Sequence, residues 1–138
     1  MKSKIINSEK APKPVGPYPH ARQVGNLLFL SGVGPRQVGK NEIPGVKLNK
    51  NGNIISYDIE KQCRSVFANV KSILEESGSS WSQLIDITIF LTNMKKDFKI
   101  YNKIYAEYFK ENQPCRTTIE INSLPTPIAI ELKCIATI

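Results

Sequence analysis

The sequence has one histidine, His20, among 138 residues. A lone histidine excludes a metal centre built from several imidazoles and any acid–base mechanism that needs two of them. Cysteines are also few: Cys63, Cys115 and Cys134 are an odd number without close pairing. That pattern argues against a disulfide framework and against a zinc motif, so reduced thiols are expected. No apolar run approaches the roughly 20 residues of a bilayer span. The start, "MKSKIINSEKAPKP", lacks the apolar core of a secretory signal, and a cytoplasmic protein without a membrane partner is expected. There is no arginine-rich stripe interleaved with aromatics, so the formal charge of +7 reads as a lysine-rich surface that attracts small anionic metabolites rather than nucleic acid.

What is present fits one domain over residues 1–138, long enough for its own core and too short for two ordinary domains. The first 20 residues hold Pro12, Pro14, Pro17 and Pro19, which block regular helix and predict an extended lead-in. "NLLFLSGV" (26–33) is a short apolar run bounded by glycines and predicts a buried strand. The following 34–55 stretch is rich in Gly, Asn and Lys, with Asn51-Gly52 marking a hairpin. Asp58 is placed to cap a helix on which Ile59, Cys63, Val66, Phe67, Val70, Ile73 and Leu74 recur at helical spacing up to Gly78.

"LIDITIFLTN" (84–93) alternates Ile85, Ile87, Ile89 and Leu91 against Asp86, Thr88 and Phe90, the period of a half-buried strand. In "DFKIYNKIYAEYFKEN" (97–112), Phe98, Tyr101, Ile104, Tyr105 and Tyr108 share one helical face, a core stripe rather than a base-stacking platform. The end reads as two strands, "RTTIEI" and "IAIELKCIATI", joined by a Leu-Pro-Thr-Pro turn. These elements predict an α+β domain with two helices on one sheet face, leaving the other face in need of a cover that a partner subunit could supply.

Within "PCRTTIEINSLPTPIAIEL" (114–132), antiparallel pairing across the turn would bring Arg116 and Glu131 together. Spacing alone favours an ordinary cross-strand ion pair. The alternative is chemical: an arginine fork can hold a substrate carboxylate, and a partly desolvated glutamate can activate water.

"GPYPHA", "FLSG", "NVKSILEESGSSWSQLIDITIFLTNMKKDFKIYNKIYAEYF", "PCRTTIEINSLP" and "IAIELKCIAT" together resemble the reactive intermediate deaminase (Rid, YjgF-like) family over nearly the whole chain. The resemblance implies a chorismate-mutase-like fold and a homotrimer with ligand clefts at the subunit interfaces. It also implies hydrolysis of enamines or imines to ketones and ammonia, with no metal or organic cofactor. On this resemblance Arg116 holds the substrate carboxylate with the Gly32 amide, and Glu131 binds the attacking water. Tyr18, Ser31 and Asn102 match the remaining cleft positions. Read singly, Tyr18 could fill an interface, Ser31 end a strand and Asn102 sit on an exposed helix face.

Two departures stand out. Where many members have a cysteine two residues after the arginine, this chain has Thr118, and its cysteine, Cys115, precedes the arginine. Strand alternation turns Cys115 to the face opposite Arg116 and suggests a structural role. The second is the long 34–55 stretch, which with "YPHAR", "CRTTI" and "LPTPIAIELK" is most similar to the 2-aminomuconate deaminase branch. A dicarboxylate would need a second anchor, for which Arg36, Lys40 and His20 are candidates. Two other functions fit parts of the sequence: a non-catalytic metabolite-binding trimer, and an endoribonuclease or translation inhibitor supported by basic charge alone.

Overall fold

A computed structural model describes residues 3–138. Six strands form one mixed sheet in the order β1-β2-β3-β8-β6-β7, and β4 and β5 form a separate hairpin. The strands are β1 (Ser3–Ile6), β2 (Ala21–Val24), β3 (Leu27–Leu30), β4 (Val46–Leu48), β5 (Ile54–Tyr57), β6 (Leu84–Leu91), β7 (Cys115–Glu120) and β8 (Ile130–Thr137). The helices are α1 (Ile59–Glu76) and α2 (Met94–Tyr108). This is the expected α+β fold. Among the described residues no helix is long and apolar enough to cross a membrane.

Both helices start where the sequence places a cap. The Asp58 carboxylate accepts from the Lys61 amide at 3.2 Å, and the Asn93 side chain accepts from the Lys96 amide at 3.0 Å. Gly78, at φ +87°, ends α1 in the left-handed conformation that only glycine adopts readily. All seven residues of the expected apolar face of α1 are buried. They pack against the face of the sheet made by Leu28, Leu30, Ile87, Ile89, Leu91, Leu132 and Cys134. The tyrosine stripe of α2 is core as well: Tyr101 is buried, Tyr105 stacks on Phe109 at 4.3 Å, and Tyr108 lies 4.7 Å from Phe67.

Three expectations change. The lead-in is not merely an extended arm. Ser3–Ile6 of it form edge strand β1 on β2, and β2 turns into β3 through Gly25-Asn26 with Gly25 at φ +60°. Ile85 does not join the buried row of β6, because a register shift between Leu84 and Asp86 turns it outward, 42% exposed. The third change bears on function. β7 and β8 are not neighbours across the Leu-Pro-Thr-Pro segment: β7 pairs with β6 in parallel, and β8 pairs with the other edge of β6, antiparallel. The cause is α2, which acts as the crossover of a βαβ unit and delivers β7 beside β6 with the same direction.

The sheet face away from the helices carries Ile5, Phe29, Phe90, Ile119 and Ile135 together with Asp86, Glu131 and Lys133, by strand alternation and register. Ile5, Phe29 and Ile119 are 60%, 37% and 38% exposed.

Candidate active site

The crossover through α2 separates the two residues that the sequence places side by side. Arg116 is level with Ile87, and Glu131 is level with Phe90 on the opposite edge of the same strand. They are therefore two strands apart and three residues out of step, each displacement being about 10 Å. They also face opposite ways. Arg116 lies on the helix side, and Glu131 alternates with buried Ile130 and Leu132 toward the uncovered side. No ion pair forms between them; among the described residues the ion pairs are Arg64 with Glu60 and Glu107, and Lys71 with Glu75.

Glu131 is the centre of one group. Its carboxylate packs on Gly32, where an added Cβ would lie 2.8 Å from Oε2. Only glycine leaves that space, so the carboxylate lies directly on the backbone that follows β3. Burial without a compensating charge pushes the Glu131 carboxyl above its ordinary range. Ser31 precedes Gly32; its amide donates to the His20 carbonyl at 3.0 Å and its hydroxyl to the Pro19 carbonyl at 2.7 Å. Tyr18, whose hydroxyl accepts from the Val15 amide at 3.3 Å, lines with Ser31 and Gly32 a small cavity of about 40 Å³. Four of the expected site residues, Tyr18, Ser31, Gly32 and Glu131, thus come together.

Arg116 and Asn102 form a second group at the β7 edge. The Arg116 guanidinium donates to Asn102 Oδ1 at 2.8 Å and lies over the Tyr105 ring at 4.7 Å and the Tyr101 ring at 5.5 Å. Tyr101 is itself tied to Thr118, hydroxyl to hydroxyl at 3.2 Å. Thr118 therefore holds the aromatic bed under the arginine. The Tyr105 hydroxyl is buried without a hydrogen-bond partner, and burial pushes it up to about 12.

The remaining candidates separate clearly. His20 cannot anchor a substrate: Nε2 donates to the Pro12 carbonyl at 2.7 Å and Nδ1 accepts from the Ser8 amide at 2.8 Å. That fixes the neutral tautomer and makes His20 the clamp of the lead-in. Lys40 lies in a separate groove with Lys61 and Arg64, whereas Arg36 lines the same cavity as Tyr18, Ser31 and Gly32. Cys115 is exposed on the face opposite Arg116, and the packing role expected of it falls to Cys63 and Cys134, whose buried thiols are pushed up to about 12. Among the described residues no cluster of three or more His, Cys, Asp or Glu side chains is placed to hold a metal ion.

Lys133 escaped the sequence reasoning. It shares the outward face of β8 with Glu131, donates to the Leu30 carbonyl beside Ser31, and burial lowers the pKa of its ammonium. The signal was available in the alternation of "IELK", in which Glu131 and Lys133 must point the same way.

The family model described as Endoribonuclease L-PSP matches residues 8–138. The chain belongs to this family. Among L-PSP relatives, a RutC family protein of Pyrococcus abyssi is 38% identical over 99% of this chain and 98% of its own. The chloroplastic Reactive Intermediate Deaminase A of Arabidopsis thaliana is 38% identical over 100% of this chain and 67% of its own length. A 2-iminobutanoate/2-iminopropanoate deaminase of Dermatophagoides farinae is 33% identical over 98% of this chain and 96% of its own. Among solved structures, a putative endoribonuclease of Thermotoga maritima superposes with a TM-score of 0.84 at 33% identity, covering 100% of this chain and 98% of that one.

Proposed function

We propose that this protein is a deaminase that hydrolyses enamine and imine carboxylates to keto acids and ammonia, in clefts between the subunits of a homotrimer. The observation that carries this reading is the division of the site. A desolvated carboxylate on one sheet face and a ready carboxylate anchor on the other edge are each half of an imine-hydrolysing centre, and one chain cannot join them. A second copy laid against the uncovered face would bring its Arg116 to this chain's Glu131 and cover Phe29 and Ile119. The relatives named as deaminases support the same chemistry.

In the assembled cleft Arg116 holds the substrate carboxylate in a fork, and the Gly32 amide assists. Glu131 takes a proton from water as its oxygen bonds to the imine carbon. The proton passes to nitrogen to give the carbinolamine; as its C–N bond breaks the hydroxyl proton is also handed to nitrogen, so ammonia leaves as the C=O of the ketone forms. Imines are intrinsically reactive, so positioning and one acid–base group suffice, on the order of 4 to 6 kcal/mol. The specific substrate we propose is 2-aminomuconate, an amino-substituted unsaturated diacid, on the strength of the long 34–55 segment, of which Arg36 lines the same small cavity as Tyr18, Ser31 and Gly32. A ribonuclease reading has only the family model's description and the basic charge behind it, and the lone imidazole is fully occupied.

The test is ammonia release from freshly generated imino acids and 2-aminomuconate, followed as NADH consumption in a coupled assay. The wild-type protein should accelerate release, and Arg116→Ala should lose roughly two to three orders of magnitude with the oligomer intact. Tight keto-acid binding without any acceleration would make the protein a metabolite binder instead.

A further inference from the structure

Arg36 follows β3, and its backbone is pinned to α1: Asn69 Nδ2 donates to the Arg36 carbonyl at 2.6 Å, and Ser65 Oγ donates to the neighbouring Pro35 carbonyl at 2.8 Å. Its guanidinium donates to the Lys13 carbonyl at 2.9 Å. No carboxylate lies within ion-pair distance of it among the described residues. A guanidinium has five N–H donors, so most of this one's capacity is unspent on the protein.

Its place in the fold makes that capacity significant. Arg36 is a wall of the 40 Å³ cavity shared by Tyr18, Ser31 and Gly32. It is also a wall of a second cavity of about 500 Å³, between the 41–48 part of the long segment and the Thr126-Pro127 turn. The first has room for little more than one carboxylate or water. The second has room for the body of a larger metabolite, and it is lined by apolar Ile43, Val46 and Leu48 with Asn41 and a single acid, Glu42. Arg36 is the one residue common to both linings, so it borders the cavity at Gly32 and the groove along the long segment alike.

We infer that Arg36 binds a second anionic group at the far end of the substrate, making the protein selective for enamine and imine dicarboxylates over monocarboxylates. This rests on the deaminase reading, with Arg116 holding the first carboxylate. The geometry distinguishes Arg36 from the other candidate anchors, since His20 has both ring nitrogens bonded and Lys40 opens on a different groove.

The experiment compares wild type, Arg36→Gln and Arg36→Lys on two imines generated in situ, those of 2-oxobutanoate and 2-oxoglutarate. The two keto acids themselves are then titrated calorimetrically. Glutamine retains a donor for the Lys13 carbonyl and removes the charge, so a purely structural link would survive it. The expected result is a diacid-to-monoacid ratio of kcat/KM that falls by roughly 10- to 100-fold in Arg36→Gln, carried mainly by KM, and recovers in part in Arg36→Lys. An unchanged ratio in Arg36→Gln overturns the inference. If no imine is turned over by wild type, the deaminase reading fails, and the ratio of the two keto-acid affinities still decides the role of Arg36. Should Arg36→Gln not fold, the ratio in Arg36→Lys decides: a loss of several-fold supports a fork that lysine cannot reproduce, and no loss overturns it.

Discussion

The two halves of the candidate site are built on opposite principles. Glu131 lies on β8, paired on both edges, with its carboxylate seated on Gly32 and its charge disfavoured by burial. Arg116 lies on β7, an edge strand, exposed, and oriented by one neutral hydrogen bond and two aromatic rings. A group that must take a proton from water gains from a rigid, poorly solvated seat that brings its pKa toward neutral pH. A group that must capture a charged carboxylate gains from staying hydrated and accessible until the ligand arrives. One strand cannot offer both environments, and the sheet provides them at its middle and at its rim.

The most severe test of that division removes one half from each of two subunits. Glu131→Gln should lower kcat by roughly 10²- to 10³-fold, with the fold unchanged because the amide fits where the carboxylate did. Glu131→Gln and Arg116→Ala subunits, unfolded and refolded together in equal amounts, should then regain about a quarter of wild-type activity. One interface in four would join an intact arginine to an intact glutamate. Activity that stays at the level of the single variants would mean that each site is built within one chain, and the comparison would collapse.

A smaller effect separates the halves by pH. Burial raises the Glu131 carboxyl above its ordinary value, and the base must be ionised to work, so kcat/KM should fall on the acid side as pH drops through that raised pKa. The same shift has the opposite sign for stability. Its contribution is fully present below the unfolded carboxyl's pKa and is lost as pH rises through the folded one, so Glu131→Gln should unfold at a slightly higher temperature than wild type at neutral pH. A flat rate profile down to the ordinary carboxylate range, with no gain in melting temperature, would remove Glu131 from the role of base.

The residues of each half were legible in the sequence, but their partition was not. Local signals carried the elements: Asp58 as a cap, Gly78 as a stop and Asn51-Gly52 as a turn act over a few residues and need no tertiary context. The β2–β3 hairpin left such a signal too, Gly25-Asn26, hidden because strands of four residues leave little periodicity to read. Strand order is different in kind. Whether β7 pairs with β8 or with β6 depends on the path of α2, and nothing in "PCRTTIEINSLPTPIAIEL" records that path. The short turn suggests a hairpin and hence an ion pair, but the strand that lies between them, β6, ends 25 residues upstream of Arg116 and meets it at Ile87. His20 illustrates the same limit. Its type allowed a ligand role, and only its two backbone partners, 12 and 8 residues away, show it to be a clamp.

The finest distinction concerns what orients the arginine. Asn102 accepts one hydrogen bond from Arg116 at 2.8 Å, and both side chains are exposed, so water replaces much of what Asn102→Ala would remove. The guanidinium keeps its aromatic bed, and KM should rise only about three- to tenfold with little change in kcat. Asn102→Asp has nearly the same shape and the opposite consequence for the ligand. Its carboxylate would occupy the fork that the substrate needs, so it should raise KM further than alanine does and make the loss ease with added salt. An aspartate variant that binds keto acids better than the alanine variant would mean that Arg116 needs neutralising rather than freeing. The rim of the sheet would then be a structural contact and not an anchor.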